Sequence, residues 1–146
     1  MIQRIQSIFL LLAGSASLGV FGLPFARTAQ AIEGSAIFDD TVYNVNDQLA
    51  LMLLFGLAGA LALLAIFLFR NRKLQMKLSL SALILNLGGL AFGLVYLLQE
   101  ITDEGKEAIQ DGLGMYLPVI AIICELLAYR FIKKDDQLVR SMDRLR

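Results

Sequence analysis

The sequence predicts an all-α membrane protein: a bundle of four transmembrane helices with both termini cytoplasmic. Three observations carry that expectation. Hydrophobic residues make up 58% of the 146 and mean hydropathy is +0.68, whereas soluble domains have an apolar share nearer ~45–50%. The runs Ile5 to Ala26, Gln48 to Phe69 and Leu78 to Gln99 contain no charged side chain. The 13 Lys and Arg residues are also sorted by side. Arg4, then Arg70, Arg72, Lys73 and Lys77, then Arg130, Lys133, Lys134, Arg140, Arg144 and Arg146 would share one face of the membrane. Only Arg27 and Lys106 fall on the other, and basic loops stay cytoplasmic.

The chain reads as one integral membrane domain with spans at 5–26, 48–69, 78–99 and 113–132. At ~1.5 Å per residue, each uncharged run reaches about 33 Å as a helix, enough for a hydrocarbon core of ~30 Å. The first run has a second reading as a signal peptide cleaved after Ala29-Gln30-Ala31. Its length and its single preceding basic residue favour a retained helix. In the outer loop 27–47, Ala36-Ile37-Phe38 and Thr41-Val42-Tyr43-Asn44-Val45 flank Asp39-Asp40. That pattern suits a small β-hairpin on the outer face, with an irregular loop as the alternative.

The basic connection from Arg70 to Lys77 is short and makes the second and third spans a tight hairpin. The acidic stretch from Glu100 to Asp111 is expected as an exposed segment with a helical turn or two. The fourth span, Leu113 to Ile132, carries Glu125, and Arg130 near its inner end can snorkel to the inner headgroups. Pro118 would break its hydrogen-bond ladder and kink it. Residues 133–146 read as an amphipathic tail, with Leu138, Met142 and Leu145 on one face and Arg140, Arg144 and Arg146 available to anionic headgroups. A docking peptide for a cytoplasmic partner is the alternative.

Glu125 is the acidic residue inside a span, and intramembrane carboxyls are costly enough to raise a functional hypothesis. Counted from the inner ends of their helices, Glu125 lies about 10 Å deep and Asn86 about 12 Å deep. A hydrogen-bonded pair follows from that common level. Either Glu125 carries protons or cations along a translocation path, or it is a buried carboxyl pinning the third helix to the fourth. Small residues at four-residue spacing, Gly89 with Gly93, Ser15 with Gly19 and Gly56 with Ala60, let helix backbones approach closely. They serve packing within the bundle or a face for self-association.

Other chemistry is excluded by composition. Cys124 is the one cysteine, so no intrachain disulfide forms, and four-span thiol oxidases need paired cysteines. The chain has no His, which rules out histidine-ligated haem or zinc. No phosphate-binding loop, nucleophile elbow, zinc-protease motif or dinucleotide fingerprint is present. No metal, cofactor or catalytic residue is expected. Basic residues that hug membrane ends suit lipid and not nucleic acid.

The opening Met1-Ile2-Gln3-Arg4-Ile5-Gln6-Ser7 and the closing Leu138-Val139-Arg140-Ser141-Met142-Asp143-Arg144-Leu145-Arg146 resemble the ends of an uncharacterised Bacteroidota membrane family, domain of unknown function 4293. The resemblance implies a bacterial inner-membrane location, four spans and a retained first helix, and it carries no activity. The expected role is a non-enzymatic scaffold or accessory subunit of a membrane complex, with a membrane-protein partner or a second copy of the chain. A small transporter or channel subunit using Glu125 is the alternative, and an enzyme ranks last.

Overall fold

The computed structural model describes residues 2–29, 40–100 and 109–143. Four helices dominate it: α1 Ile2–Gly19, α2 Leu49–Phe67, α3 Arg72–Glu100 and α4 Tyr116–Asp143. All four are long and apolar enough to cross a membrane, over Ile5–Gly22, Leu49–Phe67, Arg72–Gln99 and Leu113–Val139. Each packs on its neighbours in sequence, and α1 closes the ring against α4. Every adjacent pair is antiparallel. Gly14 faces Leu63 while Leu18 faces Gly59, and Gly89 faces Phe55 while Gly93 faces Leu51. Asn86 meets Glu125 and Arg72 meets Asp135. Phe9 stacks on Phe131 at 5.6 Å, and Gly19 abuts Leu117.

The inward faces repeat at coiled-coil spacing. On α1 they are Gln6, Leu10, Ala13, Ser17 and, just beyond, Val20; on α3 they are Gln75, Ser79, Ala82, Asn86, Gly89, Gly93 and Leu97. The outward faces are leucine-rich, as with Leu53, Leu57 and Leu64 on α2. In water such exposure would be a liability; in lipid it is the ordinary condition.

A three-stranded antiparallel sheet closes one end, which we call the outer end. Its strands are β1 Ala26–Thr28, β2 Val42–Tyr43 and β3 Ile109–Asp111, in the order β2-β1-β3. Ala26 pairs with Tyr43 on one side and with Asp111 on the other. Val42–Tyr43 thus forms a strand whose partner is β1. The expected partner, Ala36-Ile37-Phe38, lies outside the described residues, as does most of the acidic stretch expected to be helical. Ile109–Asp111, the described end of that stretch, is extended because β1 offers it a hydrogen-bonding edge.

Four other features differ from the expectation. Helix α3 begins at Arg72 and not at Leu78, so most of the Arg70 to Lys77 connection is helical. The first span stops at Gly22, because Pro24 and β1 take the chain sideways before Ala26. Pro118 introduces no break, since it sits in the first turn of α4, where its missing N–H has no ladder partner to lose. Residues 133–143 continue α4 without interruption.

Phe25 shows how the cap locks onto the bundle. Its N–H donates to the Tyr43 carbonyl at 2.7 Å and its carbonyl accepts from Gly112 N–H at 3.0 Å. Its ring meets Tyr43 edge-on at 5.6 Å and Phe55 at 6.4 Å. Gly93 leaves room for that ring, and a Cβ there would lie 3.1 Å from it. Gly114 N–H donates to the Pro24 carbonyl at 2.9 Å, and a Cβ on Gly112 would collide with the Pro24 backbone. Val20, Val45, Leu51 and Leu97 complete this apolar plug.

Candidate functional site

The site lies on the bundle axis, between the outer plug and a layer of small residues, Ala13, Ala62, Ala82 and Cys124. Asn86 is its hub. Its amide Nδ2 has two hydrogens, and both are used: one is donated to Glu125 Oε1 at 2.9 Å, the other to Ser17 Oγ at 2.9 Å. The Ser17 hydroxyl donates in turn to the Ala13 carbonyl one turn back, at 2.9 Å. Its 3.2 Å approach to Asn86 Oδ1 competes for the same single proton, so the shorter bond takes it. Ser17, Asn86 and Glu125 are all fully buried. Because α1 and α3 lie diagonally across the ring, Asn86 links helices that are not ring neighbours and adds α4 through Glu125.

Glu125 Oε2 is buried without a hydrogen-bond partner. A lone buried carboxylate is costly, so this atom is the chemically uncommitted point of the site. Gln6 Oε1 and Ser79 Oγ share that condition. Both sit on inward faces towards the inner end, where Gln75 is also buried. Arg72 and Asp135 join α3 to α4 at that end, with Nε to Oδ2 at 2.7 Å. Among the described residues no three His, Cys, Asp or Glu side chains are grouped as for a metal ion.

The structure brings Asn86 and Glu125 together and disperses the other sequence candidates. Gly89 and Gly93 receive the rings of Phe55 and Phe25, so this pair serves packing inside the bundle. Ser15 is exposed, and Gly19 touches Leu117. Gly56 lies near Phe21, and Ala60 is exposed. Arg140 continues α4, while Arg144 and Arg146 lie outside the described residues.

Three residues that matter here escape the sequence reading. Ser17 is found only by noticing that it, not Ser15, falls on the Gln6-Leu10-Ala13 face. Gly14 and Gly59 form the close crossing of α1 and α2, each facing the other's carbonyl oxygen and the leucine four residues beyond it. A Cβ on either glycine would lie 3.3 Å from the opposite carbonyl oxygen. The signal is a glycine followed four residues later by leucine on both helices.

Comparison with known proteins adds a family and no activity. No curated protein and no solved structure matches the chain. The family model described as domain of unknown function 4293 matches residues 2–145, so the chain belongs to that family.

Proposed function

We propose that this chain is a non-enzymatic, multi-pass protein of a bacterial inner membrane, with both termini cytoplasmic, serving as scaffold or accessory subunit of a membrane assembly. The observation that carries the proposal is the way the interior polar groups are used. Ser17, Asn86 and Glu125 bond to one another across three helices instead of converging on an open pocket. Such a network fixes one helix arrangement, as a rigid platform for a partner requires. The leucine-rich outer faces offer lipid or another membrane helix a broad surface. Copurification from native membranes in mild detergent tests it. A stoichiometric partner or homo-oligomer is expected, and a protein that always emerges alone and monomeric contradicts it.

A second function is favoured by one specific observation, the unpartnered Oε2 of Glu125. Gln6, Gln75 and Ser79 are buried polar groups on the inner side of Glu125, beyond the layer of Ala13, Ala62, Ala82 and Cys124, while aromatic rings fill the outer end. A proton or small cation entering from the inside would meet Glu125 and then the plug. A small transporter or channel subunit, with further helices supplied by a partner, would use Glu125 in this way. Flux in proteoliposomes distinguishes the two. Loss of a pH-driven flux in Glu125→Gln, with helix content unchanged, supports transport; flux equal to wild type removes it.

A further inference from the structure

We propose that an anionic phospholipid binds in the groove between α3 and α4 at the inner end, held by Lys73, Lys77 and Tyr129. The groove has a volume of about 270 Å³ and is lined by Lys73, Met76, Lys77, Leu80 and Tyr129. Ligand pockets of whole small molecules begin near ~300 Å³, so this one takes part of a molecule. A headgroup and the first methylenes of its chains are such a part.

The lining residues name the occupant. Positions 73, 76, 77 and 80 share one face of α3, distinct from the inward face of Gln75, Ser79 and Ala82. Read from the inner end towards the bilayer centre, that face begins with a cation and ends with Leu80, which is 43% exposed. Met76 forms part of the floor, packed on the inner apolar cluster of Leu10, Ala65, Ala128 and Ile132. Charge at headgroup depth above an apolar strip matches a lipid and not a free phosphate compound. Lys73 and Lys77 are exposed, stand one turn apart, and have no ion-pair partner among the described residues. Like charges at that spacing repel, and an anion between them removes the repulsion. Asp135 on α4 is engaged by Arg72. Lys133, exposed one turn beyond Tyr129, adds a third cation on the α4 side. Basic pockets between membrane helices hold anionic headgroups in this manner, and a phenol at the interface gives one further donor.

The proposal rests on the chain being membrane-embedded, as proposed above. Resistance to alkaline carbonate extraction reads that condition separately, so a carbonate-resistant protein without lipid preference counts against the groove alone. The test is thermal stability of the full chain in nanodiscs of phosphatidylcholine with or without one-third phosphatidylglycerol, with native mass spectrometry of retained lipid. Wild type is expected to melt higher with phosphatidylglycerol and to retain it. Lys73→Gln/Lys77→Gln is expected to lower that preference tenfold or more, on the order of two lost lysine contacts. Lys134→Gln, at the same end of the bundle on α4 but outside the groove, is expected to keep it. Lys77→Gln and Tyr129→Phe singly, each with an intermediate loss, serve if the double variant does not fold. Equal stability in both membranes, an undiminished preference in the double variant, or the same stabilisation by inorganic phosphate in phosphatidylcholine alone would overturn the proposal.

Discussion

Asn86 is the residue on which the interior depends, because both of its donor hydrogens cross to other helices. Interhelical hydrogen bonds in membranes contribute ~0.6 kcal/mol on average and up to ~1.7. Ser17→Ala removes one and is expected to cost about that average. Asn86→Leu removes both and strands the Glu125 carboxyl, so roughly 1–3 kcal/mol is expected. Glu125→Gln keeps an acceptor for Asn86 and is expected to stay within ~1 kcal/mol of wild type. Unfolding in mixed micelles with increasing SDS ranks the three; Asn86→Leu no worse than Ser17→Ala would remove Asn86 from the hub. Tyr43, in the outer cap, gives a pH prediction. Burial, with the Asp47 carboxylate nearby, raises its phenol well above the ordinary 10.0. The unfolded chain therefore loses this proton first as pH rises past about 10, and stability must fall there. Tyr43→Phe is expected to flatten that alkaline limb, as thermal melts between pH 9 and 11 would report.

At the scale of the element, the helices are legible in their long apolar runs, and the sequence is silent where one element borrows from another. Uncharged runs identify three helices, and an apolar run interrupted by Glu125 identifies the fourth. A count of residues from the inner helix ends puts Asn86 and Glu125 at one level, and the structure has them 2.9 Å apart. Strands β1 and β3 are not legible in the sequence, because each has only three residues and each is extended by its pairing, not by its own propensity. The four-residue spacing that singles out Ser15 and Ala60 does not say which face of a helix turns inward. The close crossing of α1 and α2 depends instead on Gly14 and Gly59. Gly14→Ala and Gly59→Ala put a Cβ 2.7–2.8 Å from Leu63 or Leu18 side-chain carbons and are expected to cost about 1–3 kcal/mol. Gly88→Ala, which meets nothing within 4 Å, is expected to be neutral within ~1 kcal/mol. Equal melting of all three variants would show that α1 and α2 do not rely on this contact.

The whole molecule is a ring of antiparallel helices with an aromatic plug and small sheet at one end, an ion pair at the other, and a polar link across its axis. Length and apolarity establish that these helices can cross a membrane, and the sorting of Lys and Arg proposes which end faces the cytoplasm. That sorting also decides the lipid proposal's leaflet, because Lys73 and Lys77 lie at the basic end. The one cysteine, Cys124, makes orientation directly measurable, since it is buried and replaceable by alanine. In that background, Asn46→Cys would sit at the sheet end and Lys134→Cys at the opposite end, both at exposed positions. A membrane-impermeant maleimide added to intact spheroplasts is expected to label the first and to reach the second only after permeabilisation. Labelling of both from outside, or of Lys134→Cys alone, would contradict the account.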